Sequence, residues 1–252
     1  MRNSSLDPMS MRTVLVSLTC LAAAAMWLPT DARAQTASHS DGTMAGWTSS
    51  VIANPYGGSS ISGAQQGAGG NPGSYWGFSQ GVYGYVQSAH LSTFSWNPLA
   101  QGGITGGLAM SFDAIGISGA IGFGGVLRQG GNYFVSGFGY TIQPSGGPWS
   151  NVTINAGTNP GDFCNVTLAF GPTNGYTCGA ASLDFLNGGA IDFGVMTANS
   201  GSIYGTQGGI DNFTVDFAYN APPTVAPEPA SLALVATGLL GLGLVARRRR
   251  RA

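Results

Sequence analysis

Two aspartates have the side-chain type and the positions that a calcium site would need. Asp41 lies near the first predicted strand, and Asp211 lies just before the last one. Ca²⁺ prefers oxygen ligands from Asp, Asn and backbone carbonyls. Because the first and last strands of a jelly roll often lie side by side, the two carboxylates could meet there and hold a structural calcium ion, and no other cofactor is predicted. The sequence favours the alternative interpretation, in which Asp211 caps the Gly-Gly turn that precedes it.

Aromatic rings beside amides and carboxylates form the residue set that contacts sugars. The chain offers such rings at Trp47, Trp76, Trp96, Trp149, Tyr83 and Tyr85. Packing in the core explains most of them equally well. Trp96 stands beside Asn97-Pro98 in a predicted loop, so it is the predicted ligand contact.

The sequence predicts no catalytic residue, and we expect the protein not to be an enzyme. Glu228 is the only glutamate, so acid–base chemistry would depend on aspartates such as Asp184 and Asp192. Exposed strand ends explain these two better than a carboxylate pair does. His90 has no partner at the spacing of a zinc site, and no G-x-S-x-G motif accompanies it. The other histidine, His39, falls in a segment that we expect to be disordered.

The charge of the chain argues against nucleic-acid binding. The chain has no Lys, and residues 35–226 contain one Arg, Arg128, against seven Asp, which gives one minus seven, or −6. A surface this acidic does not neutralise phosphates, so no nucleic-acid partner is expected.

The N-terminal residues follow the order of a secretion signal. Arg12 precedes the apolar run Thr13–Leu28, Pro29 ends that run, and Ala32 and Ala34 supply small residues before a cleavage point. This order predicts a signal helix within residues 1–34, which signal peptidase removes by cutting after Ala34. An uncleaved membrane anchor is the alternative.

Two cysteines remain once Cys20 leaves with the leader, namely Cys164 and Cys178. An even pair in an exported protein predicts a disulfide, which would stabilise the fold by roughly 3 kcal/mol. Two free thiols or metal ligands are the alternative, and no cluster of His or Cys supports it.

The C-terminal residues contain the parts of a sorting and anchoring signal. A Pro-rich linker at residues 221–229 ends in Pro227, Glu228 and Pro229, and the apolar run Ser231–Ala246 follows within residues 230–252. As a helix this run would be about 24 Å long, enough for a single transmembrane helix if flanking arginines snorkel. Those arginines are Arg247, Arg248, Arg249, Arg250 and Arg251. The positive-inside rule keeps them in the cytoplasm and the body outside the inner membrane.

These three parts, in this order, resemble the PEP-CTERM sorting signal. The resemblance implies a Gram-negative host whose exosortase-type sorting enzyme cleaves the tail near Pro227-Glu228-Pro229. It also implies an inner-membrane-tethered precursor whose body is later released or attached at the cell surface, in bacteria that make exopolysaccharide. A plain tail anchor would explain the helix and the arginines but not the Pro-Glu-Pro motif.

The elements that must position these residues lie in residues 35–220, which predict one all-β domain. Short runs rich in β-branched and aromatic residues, separated by Gly, Asn and Pro, favour an antiparallel β-sandwich or jelly roll. The predicted strands are Trp47–Ile52, Ser74–Phe78, Val82–Val86, Leu108–Phe112, Ile115–Ile121, Tyr133–Ile142, Ser150–Ile154, Cys164–Phe170, Ser182–Leu186, Ala190–Thr197 and Asn212–Tyr219. Asn54–Gly73, rich in Gly, Ser and Gln, is predicted to be a long mobile loop.

Three motifs in this body resemble the laminin B (domain IV) type of β-sandwich. They are the turn Gly69–Tyr75, the strand Gly106–Asp113 and the closing strand Gly208–Val215, and Trp149 falls where that pattern has a tryptophan. The resemblance implies an extracellular structural or adhesive module with no catalytic chemistry. We therefore expect an exported, non-enzymatic protein of the exopolysaccharide matrix. A carbohydrate-binding module is the alternative function, and a polysaccharide-acting enzyme is the third.

Overall fold

The computed structural model describes residues 34–136, 141–166, 176–178, 183–222, 235, 237–239 and 247. Contacts divide the chain into two compact units, one comprising Arg33–Pro222 and the other comprising Met1–Ala32 with Pro223–Ala252. The first of these units contains the hydrophobic core.

The described residues of this unit form an all-β structure, as predicted. Its strands are β1 (Ala34–Asp41), β2 (Thr48–Ala53), β3 (Ser60–Gly70), β4 (Gly73–Trp96), β5 (Ile104–Ser118), β6 (Ile121–Gln129), β7 (Asn132–Ser136), β8 (Thr141–Gln143), β9 (Ser150–Asn155), β10 (Phe163–Val166), β11 (Tyr176–Cys178) and β12 (Ile191–Asn220). A four-residue helix, α1 (Pro98–Gln101), follows β4, and a 3-10 turn, Pro160–Asp162, precedes β10. The pairs between these strands are antiparallel.

The 30-residue strand β12 organises the sheet because it passes through two sets of neighbours. Its first part lies between β4 and β6, and its last part lies between β1 and β5. Beyond these, β2 and β3 pair with β4, β7 pairs with β6, and β9 pairs with β5. The sheet therefore curls, and the inner sides of both parts contribute to one hydrophobic cluster.

The alternation predicted for the last strand is confirmed. Phe213, Val215 and Phe217 are at most 2% exposed, whereas Asn212, Thr214 and Asp216 face away from the core. Phe217 stacks on Phe193 with ring centroids 5.9 Å apart, and Trp96 meets the same ring edge-on at 5.0 Å. A strand with period-two alternation thus supplies one wall of an aromatic core.

A buried polar network crosses this core around His90, which is 0% exposed. Its Nδ1 atom lies 2.8 Å from the Ser49 hydroxyl and accepts the Trp76 indole N–H at 3.2 Å. Its Nε2 atom lies 2.9 Å from the Thr197 hydroxyl, to which Gln80 also donates. Burial lowers the pKa of His90 from 6.5 to about 3, so the ring is neutral at physiological pH.

The sequence located most strands but not their lengths. The predicted strands Ser74–Phe78 and Val82–Val86 belong to one strand, β4. The prediction of a mobile loop at Asn54–Gly73 is wrong, because Ser60–Gly70 pairs with β4 as β3. The expectation of disorder at His39 is also wrong, because His39 lies in β1 and stacks on Phe94 at 4.2 Å.

One predicted strand, Ser182–Leu186, is wrong in its described part. Residues from Leu183 onward form a turn, in which the Asp184 carboxylate accepts the backbone N–H groups of Leu186 and Asn187 at 2.9 Å. The apolar pattern that suggested a strand has another cause, because Leu183 and Phe185 are 3% and 2% exposed and fill the core from this turn.

The two ends of the chain lie largely outside the described residues. This applies to the predicted signal helix with Ala32, the predicted transmembrane helix, the motif Pro227–Pro229 and Arg248–Arg251. Ala34, the residue before the predicted cleavage point, is the exposed first residue of β1. Within the described positions, no helix has the length and hydropathy to cross a membrane.

Candidate functional site

Three motifs that lie far apart in the sequence meet on the outer face of the sheet. The register pairs Asp113 of β5 with Asp211 of β12 on one side and with Asn151 of β9 on the other. The turn between β3 and β4 brings Asn71 to the same place. The three sequence motifs Gly69–Tyr75, Gly106–Asp113 and Gly208–Val215 are therefore neighbours in the folded protein.

Asp113 is the centre of this arrangement and is half-buried. Its Oδ2 atom accepts the side-chain amide N–H groups of Asn212 at 2.8 Å and Asn71 at 3.2 Å. Its Oδ1 atom accepts the amide of Asn151 at 3.1 Å. Three side-chain amides thus fix the orientation of one carboxylate at the surface.

Asp211, the register partner of Asp113 on β12, holds two of the asparagines that contact Asp113. It is 0% exposed, and its carboxylate accepts the backbone N–H of Asn71 at 2.5 Å and that of Asn212 at 2.8 Å. Asn212 has a φ of +49°, a left-handed conformation that Asn tolerates better than most residues, and this conformation turns its amide towards Asp113. Asp211 therefore ties the β3–β4 turn to β12.

An aromatic pair stands beside this carboxylate. The rings of Tyr75 and Trp149 meet edge to face with centroids 5.4 Å apart, and both are half-buried. They lie over Gly209, since a Cβ there would come within 2.8 Å of each ring. The Trp149 indole donates to the carbonyl of Gly69 at 3.2 Å, which fixes the ring.

We call the six residues Tyr75, Trp149, Asn71, Asp113, Asn151 and Asn212 the aromatic–amide patch. The rings offer an apolar surface on which the C–H face of a pyranose can stack, and the amides and carboxylate offer donors and acceptors for hydroxyl groups. Asn71 and Asn151 are exposed, so these groups are accessible from solvent. The patch has the chemistry of a sugar-contacting surface.

The prediction that Trp96 is an exposed ligand contact is wrong. Trp96 is 9% exposed, its indole donates to the Gly102 carbonyl at 2.8 Å, and its ring packs against Phe217 and Tyr219. The Asn97-Pro98 pair that suggested a loop instead begins α1, with the Asn97 side chain as its cap. Trp96 is a core residue at the end of β4.

Asp41 and Asp211 lie at the same corner, but through a strand that the sequence did not predict. The predicted first strand, Trp47–Ile52, lies largely in β2 and pairs with β4, whereas the strand that pairs with the last one is β1. Asp41 is opposite Phe213, two residues from Asp211 along β12. Asp41 accepts N–H bonds from Thr43, Met44 and the Trp47 indole, the last at 2.8 Å. Burial alone would raise the pKa of Asp41, but these hydrogen bonds outweigh it and lower the pKa below 3.8.

The calcium ion predicted for this corner stays a prediction. The carboxylates of Asp41 and Asp211 both accept N–H donors, and the described residues contain no group of three His, Cys, Asp or Glu side chains that could hold a metal ion. An ion bound here would have to share or replace those hydrogen bonds and draw on backbone carbonyls.

The alternative carboxylate pair, Asp184 with Asp192, is not assembled. Asp184 caps its own turn, whereas Asp192 forms an ion pair with Arg128 at 2.8 Å. The hydrogen bond from Arg128 to the Asp192 carboxylate raises the pKa of the guanidinium above its ordinary value, and this effect outweighs burial, which lowers the pKa. Two carboxylates engaged in this way do not form an acid–base pair.

The two cysteines of the body face each other across β10 and β11. Cys164 is opposite Cys178 in the register and is disulfide-bonded. The register supports Cys178 as the partner, and that pairing stays a prediction until the bond is mapped chemically.

Sequence reasoning missed most of the aromatic–amide patch. Trp149 was among the candidate rings, but Tyr75, Asn71, Asp113 and Asn151 had no ligand role assigned. The signal that would have found Tyr75 is the alternation in β4, where Trp76, Phe78 and Val82 are buried and the odd-numbered neighbours face outward. The convergence on Asp113 depends on strand order, which the sequence does not show.

Residues 225–251 match the family model of the PEP-CTERM protein-sorting motif. This match confirms the predicted PEP-CTERM sorting motif and indicates a secreted protein that an exosortase sorts. The motif covers the tail only and leaves the role of the body open. Comparison with curated proteins finds no match.

Among solved structures, similar ones include carbohydrate-binding modules. The family 11 module from Clostridium thermocellum, in complex with a β-1,3-1,4-mixed-linked tetrasaccharide, is 14% identical with a TM-score of 0.42, covering 71% of this chain and 94% of that chain. The CBM22-1 xylan-binding domain from Paenibacillus barcinonensis Xyn10C is 11% identical with a TM-score of 0.40, covering 76% and 100%. TM-scores below 0.5 do not establish a shared topology or a shared ligand. The laminin B resemblance is not confirmed by these comparisons.

Proposed function

We propose that this protein is exported, sorted to the cell surface and there binds exopolysaccharide through the aromatic–amide patch, without catalysing a reaction. In this proposal, signal peptidase removes residues 1–34 of a precursor tethered to the inner membrane of a Gram-negative bacterium. The exosortase then cleaves near Pro227-Glu228-Pro229. The sorting motif at residues 225–251 supports this destination.

One observation supports glycan binding most directly: Asp113, held by three side-chain amides, lies beside the Tyr75–Trp149 ring pair. Fixed rings and fixed polar groups lose little entropy when a ligand binds. A role confined to folding would not need an exposed Asn151 or rings that remain half-exposed.

Binding of the strain's own exopolysaccharide tests this proposal. The exported protein, purified in detergent, would be run by affinity electrophoresis through gels with and without the isolated polymer. We expect retardation of the wild type and at least a tenfold loss of affinity in Trp149→Ala and Asp113→Asn. Leu99→Ala, which removes a 71% exposed apolar side chain elsewhere, and Asp216→Asn, which makes the same charge change on β12, are the matched controls.

The outcomes separate the candidate functions. Retardation that both patch variants lose supports the proposal. Absence of retardation in the wild type favours a matrix protein without a glycan ligand. Shortening of the polymer during the experiment would instead indicate an enzyme.

A further inference from the structure

The outer face of β4 continues well beyond the aromatic–amide patch. Between Ser74 and Tyr83 the strand alternates strictly, with Trp76, Phe78, Gln80 and Val82 at most 5% exposed. The residues on the outward side of the strand are therefore Tyr75, Gly77, Ser79, Gly81 and Tyr83. We call these five residues the β4 track. Its ends are aromatic, and its middle carries only small side chains.

Two further tyrosine rings are exposed near the far end of the track. Tyr83 is 51% exposed, and Tyr56, from the segment between β2 and β3, is 61% exposed. The Tyr56 ring lies on the backbone of Gly84, where a Cβ would come within 2.5 Å of it. One face of Tyr56 is thus supported by the chain while the ring remains open to solvent.

The middle of the track is a flat strip of hydroxyl, amide and glycine residues. On one side the register places Ser62 of β3 beside Ser79, and on the other it places Gln207 of β12 beside Ser79. Glycines let neighbouring polar groups lie over the backbone, because a Cβ at Gly81 would meet the Ser60 hydroxyl at 2.7 Å. These strip residues carry no charge.

From these observations we infer that the track from Trp149 and Tyr75 to Tyr83 and Tyr56 is one continuous binding surface for an extended, linear, neutral polysaccharide chain. This inference rests on the proposed function and specifies its ligand. Tyr75 and Tyr83 are eight residues apart, or roughly 26 Å at about 3.3 Å per residue. The surface is too long for a monosaccharide, and a body with one Arg against seven Asp disfavours an anionic polymer.

Calorimetry with oligosaccharides of defined length tests the track. The probes are two-, four- and eight-unit members of the β-glucan, mannan and xylan series, with polygalacturonate as the anionic polymer. For the series that binds, we expect the eight-unit member to bind at least tenfold more tightly than the two-unit member. Tyr83→Ala should remove most of that gain and leave two-unit binding unchanged, whereas Trp149→Ala should weaken both.

A lysine in the middle of the track provides an independent variant. Ser79→Lys should block long chains and spare short ones, and Leu99→Ala should change neither. Thermal unfolding of each variant checks that it is folded. Eight-unit affinity unchanged by both Tyr83→Ala and Ser79→Lys, or tighter binding of polygalacturonate than of any neutral chain, would overturn the track. Failure of the wild type to bind any probe or the native polymer would instead refute the proposed function.

Discussion

Acidification should destabilise this protein through a single buried residue, His90. The neutral ring is 0% exposed, and it forms hydrogen bonds with the neutral side chains of Ser49, Trp76 and Thr197. Its pKa falls from 6.5 in the unfolded chain to about 3 in the folded protein. The unfolded state therefore binds a proton that the folded state does not, so stability is lost as the pH falls below 6.5 and the loss levels off near pH 3.

The magnitude follows from this difference in pKa. At 1.36 kcal/mol per pKa unit, the loss is about 2 kcal/mol at pH 5 and about 4 kcal/mol at pH 3, and it approaches a limit of about 5 kcal/mol below that pH. Asp41, whose pKa is lowered from 3.8, adds to the loss only at lower pH. The interval between pH 7.5 and pH 5 therefore isolates His90.

Urea unfolding followed by tryptophan fluorescence at pH 7.5, 6.5, 5.5 and 5.0 measures this loss. His90→Gln is the matched variant, because an amide can still exchange hydrogen bonds with Ser49 and Thr197 but does not titrate. We expect the variant to be less stable at pH 7.5 and to have a flat profile down to pH 5. A wild type whose stability does not fall over this interval, or a variant that falls equally, would refute the reasoning.

Three further predictions concern the core, the cysteines and calcium. Phe217→Ala should cost 3–5 kcal/mol in urea unfolding, because a 2% exposed ring that contacts Phe193 and Trp96 leaves a cavity; a cost below about 1 kcal/mol would contradict the assigned core. Intact-mass analysis after alkylation should show Cys164 and Cys178 unmodified until a reductant is added, and reduction should cost roughly 3 kcal/mol; alkylation without reductant would exclude the bond. If calcium binds at Asp41 and Asp211, millimolar Ca²⁺ raises the melting temperature of the wild type but not of Asp211→Asn; an unchanged wild type removes the calcium hypothesis.

The sequence predicts the class of fold and the inward side of the strands well. Asn212–Tyr219 is an example. Successive side chains of a strand point to opposite faces of the sheet, and the face that carries Phe213, Val215 and Phe217 is the apolar one, so it must face the core. The limits of the strands are harder to predict. Gly-rich β3 has no apolar alternation, and its pairing with β4 rather than its own propensity makes it a strand.

The candidate site could be predicted only in part. The residue types were recognisable, but the meeting of Asn71, Asp113 and Asn212 depends on β5 and the β3–β4 turn both lying next to β12. Trp96 shows the opposite failure: its neighbours Asn97-Pro98 suggested an exposed loop, but the same residues begin a helix whose end accepts the indole N–H.

The glycines of β4 have a structural role that the amino-acid composition alone does not reveal. In a strand, Gly weakens packing and raises the entropic cost of folding. Gly77 and Gly81 stand on the outward side, where they let Gln66 and Ser60 lie over the backbone and leave the surface flat. The inward side of the same strand keeps Trp76, Phe78 and Val82, so stability is supplied from the other face.

Chemical-shift mapping with the eight-unit oligosaccharide that binds best tests the central claim most directly, since it shows where on the body a glycan lies. We predict that the backbone amides of Tyr75, Gly77, Ser79, Gly81 and Tyr83 shift on titration, together with those of Trp149 and Asn151. Shifts confined to the opposite part of the sheet, around Arg128 and Asp192, would contradict it.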